Sequence, residues 1–216
     1  MTKNIIITIG RQFGSGGHEI ANRLAQRLDL PMYDRNLIKM AAEEMKISPS
    51  AAEAVDESGL NRFLAYYLTA PTDYSTYMMN VEPGQPLSEQ VYEKQSEIIR
   101  KLAGRSDCIM VGRCADYLLA EEPGLINVFI CADRADRAKR IMEKYDLSER
   151  KALERMKKID RDRRYYYELH TGRDWGSWDA HQLILNISML GMDRAVDMLA
   201  ALYEEKKKEL CADKPE

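Results

Sequence analysis

The chain has 216 residues, 45% hydrophobic and 31% charged, which supplies a core and excludes a disordered chain of low hydrophobicity. Thirty-two Lys and Arg against 35 Asp and Glu leave a net charge of −3, so no broad positive field exists to hold nucleic acid or anionic lipid. No apolar run approaches the roughly 20 residues of a membrane helix, no leader segment is visible, and Cys108, Cys114, Cys131 and Cys211 form no CxxC pair. The expectation is a reduced, cytoplasmic protein without membrane or nucleic-acid partners.

Asn4 to Ile9 is a continuous apolar run, the pattern of a strand buried on both faces of a parallel sheet. The glycine-rich turn GRQFGSGGH follows at once, and from His18 to Leu28 the apolar residues Ile20, Ala21, Leu24, Ala25 and Leu28 recur at helical spacing. Strand, glycine turn and helix in this order open an α/β nucleotide-type fold. After Pro31 a short extended piece, Met32 to Asp34, gives way to a helical region from about 35 to 104, with Ser48 and Pro49 as the N-cap and first residue of one helix. Within it, Thr69 to Pro86 turns polar and tyrosine-rich and reads as a long loop.

Two further strands are predicted, Cys108 to Val111 and Asn127 to Cys131, around a short helix at Ala115 to Ala120. Helices follow from Asp133 to about Lys144 and from Ser148 to the Tyr165–Tyr167 triplet. The loop HTGRDWGSWDAHQ, where Trp175 and Trp178 are expected to pack, precedes a last strand at Leu183 to Ile187 and a closing helix from Gly191 to Lys208. Strands alternating with helices predict a parallel sheet covered on both faces.

Three constellations bear on chemistry. In Gly10 to His18, glycines let successive N–H groups turn toward one point and the next helix adds its positive N-terminus, so the turn suits phosphate. Against the phosphate-loop pattern GxxxxGK[ST], Gly17 stands at the lysine position and His18 at the hydroxyl position, leaving Arg11 as the nearest cation and Ser15 as the nearest hydroxyl. A GxGxxG dinucleotide fingerprint is absent. Gly112 and Arg113 follow a predicted strand, and so do Asp34 and Arg35; ligands of open α/β sheets bind beyond such carboxyl ends. The helix ALERMKKIDRDRRYYY puts Ala152, Met156 and Ile159 on one face and Lys157, Arg161 and Arg164 on the other, with Arg163 falling on the apolar side. Six basic and two acidic residues between Arg155 and Arg164 give this segment +4 in an acidic chain. His18, His170 and His181 share no metal-ligand spacing.

Taken together, IGRQFGSGGHEIA with YDRNLI, IMVGRCADYLL, VFICADRADRAKRI, KKIDRDRRYYYELHTGRDWG and LILNIS resemble the cytidylate kinase-like family, a branch of the P-loop nucleoside monophosphate kinases, from about Asn4 to Leu199. The resemblance implies one kinase-like α/β domain with a three-layer P-loop fold. Its parallel-sheet core would comprise about residues 1–34, 105–147 and 179–210, with a helical acceptor-binding insertion at 35–104 and an arginine-rich lid at 148–178.

It further implies phosphoryl transfer from ATP with Mg2+ to a nucleoside monophosphate, CMP or dCMP first, or to a related small acceptor. Gly10, Arg11, Gly14, Ser15, Gly16, Gly17, His18 and Arg163 would hold ATP, and Asp34, Arg35, Arg113 and Arg137 the acceptor. Arg11, Arg113, Asp160, Arg161 and Arg164 would act in catalysis. The missing lysine keeps a second reading open, a non-catalytic nucleotide or anion sensor, and the position of Arg11 discriminates the two.

Overall fold

β1 (Ile6–Arg11) is the central strand of a five-stranded sheet in the order β2-β3-β1-β4-β5, every pair parallel. The computed structural model describes residues 4–34, 36–50, 52 and 86–212. After β1 come α1 (Gly17–Leu28), β2 (Met32–Tyr33), α2 (Asn36–Met45), α3 (Leu87–Ala103), β3 (Cys108–Met110) and α4 (Ala115–Leu118). They are followed by β4 (Leu125–Cys131), α5 (Arg134–Tyr145), α6 (Glu149–Thr171), β5 (Leu183–Asn186), α7 (Ile187–Leu190) and α8 (Met192–Ala212).

Side chains alternate across β1, and each face meets its own helical layer. Ile5, Ile7 and Ile9 pack with Ile20 and Leu24 of α1 and with Val196, Leu199 and Tyr203 of α8. Ile6, with Cys108 and Met110 of β3, packs on the opposite face against Leu37 of α2 and Ile99 and Leu102 of α3. This is a three-layer α/β arrangement, and burial on both faces explains why β1 reads as an unbroken apolar run. Thr8 and Gly10 share the face of Ile6 but bring little bulk, so that layer opens toward the carboxyl end of the sheet.

Asp107 anchors the other end of β1. One carboxylate oxygen accepts the Ile5 N–H at 2.8 Å and the other accepts the Tyr203 hydroxyl at 2.7 Å. Arg23 and Arg27 of α1 pair with Asp193 and Asp197 of α8 on the exposed surface, where such pairs add at most about 1 kcal/mol.

β3 ends at Met110, one residue before the expected boundary, because Gly112, Arg113 and Cys114 all take positive φ (76°, 60° and 54°) and turn the chain off the sheet. β4 begins two residues earlier than expected, at Leu125. Of the helical region expected at 35–104, α2, α3 and the helical Pro49–Ser50 are described, whereas Arg35 and most of the loop expected at 69–86 lie outside the described residues. Trp175 packs edge-on to Phe129 with ring centroids 5.2 Å apart, as expected, but Trp178 does not pack and is 83% exposed. Among the described residues no helix is long and apolar enough to cross a membrane.

Ile7 is fully buried between the layers, so Ile7→Ala is expected to lower unfolding free energy by about 2–5 kcal/mol. Arg27→Ala should change it by less than about 1 kcal/mol. Urea denaturation of the two variants checks the contrast.

Candidate functional site

The chain leaves β1 at Arg11 and reaches α1 in five residues. Gly14 and Gly16 both have positive φ (80° and 89°), a region that L side chains avoid. Neighbours also bar a side chain at either position: a Cβ on Gly14 would lie 2.8 Å from Ile141 Cδ1, and one on Gly16 2.6 Å from Met192 Cε. Ser15 is buried, and its hydroxyl donates to the Gln12 carbonyl at 2.9 Å, so it shapes the turn from inside. The N-cap Gly16 has no side chain to cap α1, and the Gly17 N–H donates to Ser15 Oγ at 3.4 Å. Arg140 of α5 donates to the Gly14 carbonyl at 2.7 Å and brings a cation to the loop rim.

Gly17 is glycine for a different reason. A Cβ there would fall 2.6 Å from Arg11 Cβ and 3.2 Å from Arg11 Cγ, so the Arg11 stem fills the space through which a residue-17 side chain would leave. The guanidinium ends over Gly112, where a Cβ would meet Nη1 at 2.1 Å. Arg11 therefore runs from the glycine loop to the carboxyl end of β3, beside Arg113, which is 7% exposed.

Helix α6 packs against both. Asp160 Oδ1 accepts the Phe13 N–H at 2.7 Å, and Oδ2 pairs with Arg137, whose Nε donates to the Phe13 carbonyl at 2.8 Å. Arg163 Nη1 donates to the Arg11 carbonyl at 3.1 Å. Phe13 itself stacks on Tyr145 at 6.0 Å, with Arg155 lying 3.9 Å over the Tyr145 ring. Farther along α6, Arg164 lies 6.0 Å over Trp175, while the Arg161 side chain is 70% exposed beside Asp162.

Between these parts is a cavity of about 30 Å3, room for a water or two, lined by Arg11, the buried Arg113 and Arg163 together with Tyr166 and Trp175. Its floor holds Asp116, Tyr167 and His181. The Tyr167 hydroxyl donates to Asp116 Oδ2 at 2.7 Å. Burial pushes the Asp116 carboxyl above the ordinary range, opposed by that hydrogen bond and by the nearby imidazole. Burial also lowers the His181 pKa, opposed by the Asp116 charge. Among the described residues no group of three or more His, Cys, Asp and Glu could hold a metal ion.

The model of the cytidylate kinase-like family matches residues 6–189. The chain belongs to the cytidylate kinase-like family. A search of curated proteins gives no match. The fold is similar to that of an uncharacterized protein from Eubacterium ventriosum, with 27% identity and a TM-score of 0.68, covering 93% of this chain and 99% of that one. It is also similar to shikimate kinase from Bacteroides thetaiotaomicron, with 14% identity and a TM-score of 0.52 over 93% and 98% of the two chains. A third similar structure is TT1252 from Thermus thermophilus, with 19% identity, a TM-score of 0.50 and 92% and 97% coverage. The fold is that of the P-loop kinases, with ATP-type nucleotide use implied by the family.

For a cytidylate kinase-like chain, the residues singled out in the sequence divide in space. Gly10, Arg11, Gly14, Gly16, Gly17, Arg113, Asp160 and Arg163 gather at the loop and cavity. Arg137 is buried under the loop crest rather than in the cavity, and Ser15 is turned inward. His18 Nε2 pairs with Asp34 Oδ2 at 2.8 Å at the start of α1, and Asn22 donates to its Nδ1 at 3.0 Å. Arg161 faces solvent and Arg35 is outside the described residues. Sequence reasoning passed over Arg140, although it follows Arg137 by three residues on the same helix face. It also passed over Tyr167, and nothing in the spacing of Asp116, Tyr167 and His181 connects the three.

A carboxyl whose pKa is raised by folding contributes stability below its unfolded value, near 4, and loses that contribution as pH rises through the folded value. Asp116→Asn keeps an oxygen for Tyr167 and does not titrate. It is expected to resist urea better than the parent at pH 8, with the difference shrinking as pH falls toward 4. A difference independent of pH would contradict the burial effect.

Proposed function

We propose that this chain is an ATP-dependent phosphotransferase that moves the γ-phosphoryl group of magnesium ATP to a small acceptor. A nucleoside monophosphate is the first acceptor class, with CMP and dCMP as first candidates. The observation that carries the reading is the course of Arg11. Phosphoryl transfer asks the protein mainly for position and positive charge on the equatorial oxygens, and Gly17 supplies no charge. Arg11 fills the exit from position 17 and delivers a guanidinium to the cavity shared with Arg113 and Arg163. A sensor that had lost the lysine charge would not need a second cation routed through the same space.

In this reading the backbone of Gly14, Gly16, Gly17 and His18 with the N-terminus of α1 holds the donor phosphates, and Arg11 meets the group in transfer. Arg113 takes the acceptor's anionic end. Asp160, Arg137 and Arg163 latch the lid, and Arg164 and Arg161 reach nucleotide only from another lid position. Magnesium would supply charge neutralisation on the phosphates, and Asp34, whose Oδ2 pairs with His18 at the start of α1, is the carboxylate that would hold it. The present cavity is far below the roughly 300 Å3 of a small-molecule site. Entry of a nucleotide therefore requires the Asp160 and Arg163 bonds to the loop to open, and closure excludes water.

Coupled ADP release with magnesium ATP and a panel of CMP, dCMP and UMP tests the activity. Turnover with one acceptor is expected, and ATP binding without turnover on any of them would favour the sensor. Arg113→Ala should raise the acceptor KM or abolish turnover with the fold intact; unchanged kinetics would remove Arg113 from the site.

Position 17 gives a second test. Gly17→Lys should lower the melting temperature of the parent but be tolerated in Arg11→Gly, since even Ala at 11 would keep the Cβ that lies 2.6 Å away. Arg11→Gly alone should lose on the order of 10²–10³-fold in kcat, the range for removal of one charge-stabilising donor, and the double variant should recover part of it. Equal melting losses in both backgrounds would break the coupling.

A further inference from the structure

His181 lies on the cavity floor, 8% exposed, and its tautomer is fixed by neighbours. Asn127 donates through Nδ2 to the Ala180 carbonyl at 2.9 Å, so its Oδ1 is the atom 3.0 Å from His181 Nδ1. Thr8 donates to the same Oδ1 at 3.4 Å. Oδ1 accepts, hence Nδ1 carries the proton and Nε2 presents a lone pair. That nitrogen is buried and has no hydrogen-bond partner in the protein. Phe129 and Tyr167, with ring centroids 4.9 and 6.2 Å away, hold the imidazole in place.

A buried acceptor without a partner costs about 1–3 kcal/mol, a cost that a donor group entering the cavity relieves. Asp116 on α4 and Arg173 and Asp179 in the loop before β5 are the charged groups acting on this ring. Depression of its pKa by burial keeps the ring neutral and Nε2 an acceptor at physiological pH. The cavity thus offers arginines for an anion and a lone pair for a donor.

We infer that His181 is the specificity residue of the acceptor site, its Nε2 accepting a hydrogen bond from an N–H or O–H on an acceptor whose anionic end lies against Arg113. This rests on the phosphotransferase reading and narrows its substrate class. A donor at the far end is accepted; a carbonyl there faces a lone pair that cannot turn into a donor while Asn127 holds Nδ1–H. For a nucleotide, the donor comes either from a ring amino group or from a sugar hydroxyl. Sites built around one such hydrogen bond reject analogues lacking it by up to about 10⁴-fold or more.

The test measures binding rather than turnover, so that it stands apart from catalysis. Calorimetric titration in the presence of magnesium ADP compares CMP with UMP, which exchanges an amino donor for a carbonyl, and CMP with dCMP, which removes one hydroxyl. At least one pair is expected to differ by about 100-fold or more in Kd, with the ratio collapsing below about 10-fold in His181→Gln and His181→Phe. Equal affinities, no binding by any of the three, or ratios unchanged in both variants overturn the assignment. Nitrogen-15 spectra of the histidine-labelled parent give a ligand-independent check: an Nε2–H tautomer at neutral pH also overturns it. Failure of ADP release with these binding results intact would remove the transfer reaction and leave the recognition site.

Discussion

The Arg11 side chain runs between two glycines, and the arrangement of the site depends on that passage. At Gly17 there is no room for a Cβ beside the arginine stem, and at Gly112 none beside its guanidinium. A lysine at position 17 and an arginine at position 11 are therefore alternatives, because both side chains would leave through one space. Gly17 is where the phosphate-loop pattern fails, yet the failure and Arg11 are one feature. The positive charge expected at the head of α1 starts instead from the last residue of β1, held in register opposite Ile130.

Helix α6 is tied to the glycine loop through Asp160. Asp160 accepts a loop N–H with one oxygen and pairs with Arg137 through the other, so a single carboxylate ties α6, the loop crest and α5. With a side chain 19% exposed, this pair is more shielded than the helix-surface pairs of α1 and α8. It also has a built-in limit. In the proposed reading, a phosphate entering the loop would compete with Asp160 for the Phe13 N–H.

The layered fold was readable because burial on both faces leaves a direct trace, an apolar run in β1 and helical periodicity in α1. The glycine loop and Arg113 were readable for a related reason, since each directly follows a strand. Helix α6 was half readable. Periodicity placed Arg163 on the apolar side, where it meets the Arg11 carbonyl, but charge alone could not separate it from Arg161, which faces solvent. The cavity floor was not readable at all. Asp116, Tyr167 and His181 come from α4, α6 and the loop before β5, and only the parallel crossovers bring them together. Trp178 shows the reverse error, since a tryptophan in a loop was expected to pack and instead faces solvent.

The two faces of β1 divide the labour of the protein. On one, Ile5, Ile7 and Ile9 are buried among apolar side chains, each contributing roughly 1.5–3 kcal/mol. On the other, both residues after Ile6 depart from that pattern. Thr8 is engaged with Asn127, and Gly10 makes room for Phe129 and His181. The costs gather there too: Arg113 and Cys114 in the left-handed region, Asp116 buried with a raised pKa, and a bare His181 Nε2. Strain and unmet polar groups persist only where surrounding structure over-determines them, and here the apolar face of the same strand supplies that constraint. Their concentration at one end of one face, rather than scattered through the fold, is what a site awaiting a charged, hydrogen-bonding ligand requires.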